Sequence, residues 1–234
     1  MSRYYRSFLE ESIVTPSYPS SLKLFIDAGN VASYAGSGTT VTDLIGTQNG
    51  TLTNGVGYSS SNGGYFTFDG INDYIDFGIN TTIQPTTNRT ISTWCYFPTS
   101  VGSGALFSDG NYNSDRNGVT IAFSSGSGRT EIANASGYQI FSMGYTFLPD
   151  TWYFITIKWS GTDFRQYING TEYSGGTFSS QPTNGVYSTK LGATASPASQ
   201  FKASRISMLK INNVALSNTD ITTDFNEFKS RYGY

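Results

Sequence analysis

Carboxylates are the first residues to consider, because two of them held about 5–10 Å apart can hydrolyse a glycosidic bond. The chain has five glutamates, Glu10, Glu11, Glu131, Glu172 and Glu227. Asp73 and Asp76, in INDYIDFG, are the nearest acidic pair within a strand-like stretch. A spacing of three puts them on opposite faces of a regular strand, where they cannot clasp one bond. Histidine is absent, which removes the usual general base near neutral pH and every Ser-His triad. These residues predict a chain that is not an enzyme.

Sugar binding needs only an aromatic platform flanked by amides and hydroxyls. The segment SDGNYNSDRNG, residues 108–118, offers Asp109, Asn111, Tyr112, Asn113 and Arg116 in one polar loop, and ASGYQIFSMGY adds Tyr138 and Tyr145. Any aromatic-rich fold exposes some tyrosines and polar loops, so a plain loop or a subunit contact stands beside the glycan site as a reading of this segment.

The elements that must position these side chains are strands. In WYFITIKWSGTDFRQYING, residues 152–170, Tyr153, Ile155, Ile157 and Trp159 fall on one face. Trp152, Phe154, Thr156 and Lys158 fall on the other. That period of two predicts a strand covered on both faces. Ser160-Gly161-Thr162-Asp163 turns the chain back, and Asn169-Gly170 closes a second tight turn because both residues tolerate positive φ. Similar strand patterns occur in SLKLFIDAGN, GYFTFDG, YIDFG, RTISTWCYF, ALFS, GVTIAFS, TEIAN, YQIFSM, STKLGA and SRISMLKIN. GYSSSNGG and FSSGSGR read as loops between them.

Composition agrees with an all-β fold: charged residues make up 13%, aromatics 15%, and there are 26 glycines. The net charge is −2, with Lys and Arg scattered, so no basic stripe is present to neutralise phosphates and nucleic acid is excluded as a partner. The single cysteine, Cys95, sits in the strand pattern ISTWCYF; it excludes an intrachain disulfide and reads as a buried, inert thiol. No apolar run approaches a membrane span.

Residues 1–20 stand apart as an N-terminal arm or tail. Tyr4, Tyr5, Phe8 and Leu9 can form one face of a short helix, before Pro16 and Pro19 favour an extended path. The segment is either a flexible tail or an arm that docks on a neighbouring subunit. Residues 21–234 form the sandwich domain. It closes with a short helix over 217–232, where Ile221, Phe225, Phe228 and Tyr232 recur at helical spacing and Ser217 supplies the cap.

LKLFIDAGN at 22–30, YFTFDGINDYIDFG at 65–78, ISTWCYF at 91–97, LPDTWYFITIKWSGTDFRQYING at 148–170 and RISMLKINNVALSNTDI at 205–221 occur in that order. Together they resemble the laminin G-like branch of the concanavalin A-like lectin/glucanase superfamily over residues 21–232. The resemblance implies an all-β, two-sheet antiparallel β-sandwich, a jelly roll, with a short C-terminal helix. Glucanases of that superfamily carry their carboxylates in a Glu-x-Asp-x-x-Glu pattern on one strand, and none of the five glutamates lies in such a pattern.

Laminin G-like relatives often hold calcium, which takes several oxygen ligands. Asp27, Asn30, Asp69, Asp73 and Asp109 are the available donors, with Asp69 and Asp73 the leading candidates. The competing reading is that these Asp-Gly and Asn-Asp pairs only make turns. No cofactor is expected apart from this calcium question.

The closing FNEFKSRYGY also resembles the ends of laminin G-like proteins of tailed bacteriophages. That resemblance implies a non-enzymatic virion structural protein, a capsid decoration or tail-fibre component, with weak adhesion to host-surface glycans. Its partners would be other virion proteins and further copies of itself, with no membrane insertion. MSRYYRSFLEES lacks an apolar signal-peptide core, so the expected location is a virion made in the host cytoplasm. The alternative is a carbohydrate-binding lectin module outside any virion, with or without calcium.

Overall fold

The two tight turns predicted around the 152–170 hairpin are both present. Trp152–Ser160 pairs antiparallel with Asp163–Ile168, with Ser160 opposite Asp163 and Gly161 at φ 59°. Asn169 and Gly170 adopt φ of 52° and 77° and return the chain into Thr171–Thr177. The computed structural model describes residues 17–84, 86–110, 118–134, 136–182, 187–195 and 198–234. Tyr4, Tyr5, Phe8 and Leu9 of the arm, and Asn111, Tyr112, Asn113 and Arg116 of the polar loop, lie outside the described residues.

The first half of the chain supplies β1 (Leu22–Asp27), β2 (Thr40–Val41), β3 (Gly50–Thr53), β4 (Gly57–Ser59), β5 (Tyr65–Phe68), β6 (Tyr74–Asp76), β7 (Asn88–Tyr96) and β8 (Gly104–Ser108). The second half supplies β9 (Gly118–Ser124), β10 (Ser127–Asn134), β11 (Gly137–Thr146), β12 (Trp152–Ser160), β13 (Asp163–Ile168), β14 (Thr171–Thr177), β15 (Lys190–Leu191) and β16 (Ser204–Asn212). Then follow α1 (Asn218–Phe228) and a 3-10 turn, Lys229–Tyr232.

Two antiparallel sheets result. The first runs β14-β13-β12-β7-β16-β5-β4, with β1 also paired to β16; the second runs β11-β10-β9-β8-β15-β6-β3-β2. Between them lies the main core, to which β12 gives Tyr153, Ile155, Ile157 and Trp159, the face expected from their alternation. The second sheet answers with Ile75, Phe107, Ile121, Phe123 and Ile132. Cys95 is buried in this core, and burial pushes its thiol pKa up, as an inert thiol requires.

The other face of the first sheet is also apolar. Trp94, Trp152, Phe154, Tyr167 and Met208 form a second cluster with Ile221 and Tyr232. Trp94 stacks on Tyr232 at 4.1 Å and on Phe225 at 5.6 Å between ring centroids. The closing helix therefore seals this face. Its N-terminus is a full capping box, with Ser217 Oγ accepting from the Asp220 N–H while the Asp220 carboxylate accepts from the Ser217 N–H.

Two segments expected to be loops differ. Gly57–Ser59, in GYSSSNGG, forms β4 by pairing with β5; the partner strand supplies hydrogen bonds that glycine- and serine-rich propensity does not predict. FSSGSGR shrinks to a tight turn at Ser125 and Gly126, both at positive φ, between β9 and β10. At the margin where β11 and β14 approach, Gln166 Nε2 and Ser174 Oγ both donate to the Ser142 carbonyl, at 2.9 and 2.8 Å.

Candidate functional site

The outer faces of the two sheets are opposites. While the first is sealed by aromatic rings, the second carries a polar row that follows from strand register; Glu131, Thr120, Ser108 and Lys190 in it are buried, and it reaches solvent at Asp76 and Thr51. Ile140 pairs with Glu131, Glu131 with Thr120, Thr120 with Ser108, Ser108 with Lys190, Lys190 with Asp76, and Asp76 with Thr51. Directly paired residues share a face. This is the outer one, because the alternate residues Ile132, Ile121, Leu191, Ile75 and Leu52 belong to the main core.

At one end of the row, Glu131 is buried and receives the Arg129 Nε–H at 2.6 Å. Its second oxygen, Oε2, is buried with no hydrogen-bond partner among the described residues. Thr120 and Ser108 share a hydroxyl hydrogen bond of 2.8 Å. Tyr138 pairs with Ala133, two residues beyond Glu131, so it shares this outer face and is 39% exposed. The structure thus brings one predicted glycan residue, Tyr138, beside a carboxylate that sequence reasoning had considered only for catalysis.

Asp109 behaves differently from the expectation. It is 1% exposed and points into the sandwich, where its carboxylate accepts the Val119 N–H at 2.9 Å and pairs with Arg89. A carboxylate held this way is not presented to a sugar. It was misread because its partner, Arg89, lies on the facing sheet twenty residues away, beyond the reach of local pattern.

At the other end, Asp76 is braced from three directions. Its Oδ1 accepts the Gly78 N–H at 2.8 Å, and its Oδ2 lies 3.2 Å from Lys190 Nζ and 3.4 Å from Ser188 Oγ. Lys190 is buried and also donates to Ser188 Oγ at 2.5 Å and to the Ala195 carbonyl at 3.1 Å. Beside Asp76 an open groove of about 600 Å³ runs between β3 and the 77–79 segment.

Four strand spacings separate Asp76 from Glu131, or about 19 Å at ~4.8 Å each. That is well beyond the carboxylate separation of either glycosidase geometry. Asp73 and Asp76 do not converge either. Asp73 is buried and accepts the Asp69 N–H at 3.1 Å through Oδ2, while Asp76 faces Lys190.

The calcium candidates make a turn. Asp69 Oδ1 accepts the Ile71 N–H at 2.7 Å, and Asp73 holds the Asp69 amide. Asp73 Oδ1 is buried without a partner among the described residues, and burial raises the pKa of this carboxyl. Asp27, another donor considered, takes a bidentate pair from Arg231, at 2.9 Å each, and the Gly29 N–H; Asn30 accepts from the Ala32 N–H. Among the described residues no group of three or more His, Cys, Asp or Glu is placed to hold a metal ion.

Residues 68–222 match the profile of Laminin_G_3, of the concanavalin A-like lectin/glucanases superfamily. The chain belongs to this family. No match was found among curated proteins. Solved structures similar to this Laminin G-like chain include domain 4 of AbnA, a GH43 extracellular arabinanase from Geobacillus stearothermophilus, in complex with arabinotriose. The identity is 18%, with 88% of this chain and 98% of that one covered and a TM-score of 0.69. The binding domain of Paraclostridial Mosquitocidal Protein 1 aligns at 17% identity over 89% of this chain and 52% of that one, with a TM-score of 0.69. Trypanosoma rangeli sialidase in complex with sialic acid aligns at 13% identity over 95% of this chain and 37% of that one, with a TM-score of 0.67. The Laminin G-like chain therefore spans nearly all of the arabinanase domain, about half of the toxin binding domain and about a third of the sialidase. At these identities the likeness is one of fold.

Proposed function

We propose that this Laminin G-like domain is a non-catalytic glycan-binding module that acts in adhesion. The observation that carries the reading is the polar row across the outer face of the second sheet, set against the sealed apolar face of the first. A sheet face that needs only solubility does not require buried, braced carboxylates such as Glu131, or a buried lysine locked to Asp76. The arabinanase domain in complex with arabinotriose supports the reading by sharing the fold, though a shared fold alone does not transfer function.

The experiment is a glycan screen followed by calorimetry, with millimolar to micromolar binding expected, and the same binding in EDTA because no cofactor is part of this reading. Loss of binding in EDTA, restored by calcium, would overturn the cofactor-free form and direct attention to Asp69 and Asp73.

A second reading makes the same domain a virion structural component, a capsid decoration or tail-fibre protein, that assembles with further copies and displays the polar face to a host surface. It rests on the phage-like closing segment. Phe225 and Tyr232 of that segment are engaged in covering Trp94, so its pattern has a folding role in any setting. Peptide mass spectrometry on density-purified particles separates the two: many copies per particle supports the virion reading, and absence leaves the free lectin module.

A further inference from the structure

We infer that the groove between β3 and the 77–79 segment is a subsite for a neutral sugar, with Gln48, Asn49, Thr51 and Asp76 making its polar contacts. This rests on the glycan-binding reading and narrows it to one end of the polar row. The subsite is an open surface groove of about 600 Å³, lined by Gln48, Asn49, Thr51, Asp76 and Ile79.

The groove is pre-organised by a buried aspartate beneath it. Asp43, 2% exposed, accepts four backbone N–H groups, from Phe25, Ile45, Thr47 and Gln48, at 2.8–3.0 Å. The 43–49 loop is thereby pinned to β1 from within, and two consecutive amide side chains are held at its end. Each uses its carbonyl oxygen internally. Gln48 Oε1 accepts from Asn80 Nδ2 at 3.0 Å, and Asn49 Oδ1 accepts from the Asp43 N–H at 3.0 Å. Both NH2 groups are left without a protein acceptor among the described residues, on side chains already fixed in place. A ligand oxygen bonding there meets donors whose ordering cost has largely been met by the fold.

The opposite wall supplies acceptors. Asp76 is held by Gly78 and Lys190 and keeps lone pairs for a hydroxyl. Thr51 pairs with Asp76 across the strands and is exposed, and Ile79, 61% exposed, offers an apolar surface at the rim. Amide donors on one side, a carboxylate and hydroxyls on the other, and one aliphatic contact match a sugar's hydroxyls and C–H face.

The same inventory excludes an acidic sugar. Lys190, the cation paired with Asp76, is buried and already bonded to Asp76, Ser188 and Ala195. An incoming carboxylate would face Asp76 with no free counter-charge, and like charges juxtaposed in a site are strongly unfavourable.

The test is NMR titration and calorimetry of the full chain with arabinotriose and cellotriose as neutral probes and sialyllactose as the acidic one. Amide shifts confined to residues 47–53 and 76–79, with at least tenfold weaker binding of sialyllactose, are expected. Gln48→Glu keeps an oxygen that accepts from Asn80 and replaces the donor by a carboxylate oxygen, adding a negative charge to the groove. Thr51→Val swaps a hydroxyl for a methyl at constant shape. Each should weaken neutral-probe binding about tenfold with an unchanged melting temperature. Neutral-probe binding that survives both groove variants but is lost in Tyr138→Ala would overturn the groove and keep the glycan-binding reading at the Glu131 end. No response to either neutral probe would overturn both.

Discussion

Arg89 and Asp109 form an ion pair that crosses the interior of the sandwich, joining β7 of one sheet to the end of β8 in the other. Both side chains are 2% exposed, and the guanidinium lies over the Phe107 and Trp159 rings at 5.6 and 5.8 Å. Arg89 Nε and Nη2 have no partner among the described residues, so Asp109 carries nearly all of the compensation for a buried charge. Asp109→Asn keeps an acceptor for the Val119 amide but strands the guanidinium, and should cost about 3–5 kcal/mol by urea denaturation. Adding Arg89→Met should recover most of that loss. Glycan affinity should be the same in both variants, since this carboxylate faces inward.

Lys202 sets a pH dependence of the same sign as a carboxylate held below its ordinary pKa, stability rising with pH, but in the alkaline range. It is 1% exposed, donates to the Val101 and Ala203 carbonyls, and lies 4.7 Å from the Phe97 ring centroid, with no carboxylate bonded to it. Desolvation lowers its pKa from the ordinary 10.5 to about 8. The folded state therefore disfavours the charged form, and below pH 8 burial of that charge works against folding. As pH rises from about 8 to 10.5 the unfolded chain holds the extra proton, so this residue's contribution to stability increases. Lys202→Met should raise the melting temperature at pH 7. Relative to that variant, the wild type should gain stability across this window; parallel curves would refute the assignment.

The cap of the closing helix is separable from its packing. Ser217→Ala removes the acceptor for the Asp220 amide and should cost about 1 kcal/mol. Tyr232→Ala removes the ring stacked on Trp94 and the hydroxyl bonded to Ser207 at 2.7 Å, and should cost about 3–5 kcal/mol. Near-equal losses in chemical denaturation would show that the helix is held by its end and not by its aromatic face.

Truncation locates the inner limit of the arm. Tyr18 packs edge-on against Phe25 at 5.7 Å, and the Leu22 N–H donates to the Pro19 carbonyl. Packing thus begins before residue 21, the boundary expected from the sequence. Removing residues 1–16 should leave the melting temperature unchanged, whereas removing 1–20 should lower it. If the arm joins copies of the chain, sedimentation velocity should show the 1–16 deletion one assembly state smaller than the full chain; equal coefficients would remove the arm from assembly.

Much of the scaffold was legible because its strands alternate cleanly. Trp152–Trp159 and Leu22–Asp27 announce themselves by period, and Ile221, Phe225 and Tyr232 announce the helix that covers Trp94. What escaped depends on pairing across the fold. Thr40–Val41, Gly50–Thr53 and Thr171–Thr177 are short or glycine- and threonine-rich, and become strands only because a neighbour completes their hydrogen bonds. The site suffered most. Asp109 reads as a loop ligand because Arg89 is distant in sequence, and Gln48-Asn49 draws no reading from the sequence because the aspartate that pins the loop bonds through backbone amides. The amide pair in TQNG was the available signal, and it has no local periodicity to set it apart.

The Ser142 carbonyl, occupied by both Gln166 and Ser174, has a consequence beyond joining the two sheets. Marginal strands with vacant acceptors recruit foreign strands and seed aggregates. At this margin the acceptor is filled by the protein's own side chains, so an approaching chain finds no template there. Replacing Gln166 by leucine together with Ser174 by alanine would remove both donors and reopen that acceptor, turning a self-limited protein into one prone to stick to its neighbours at high local concentration.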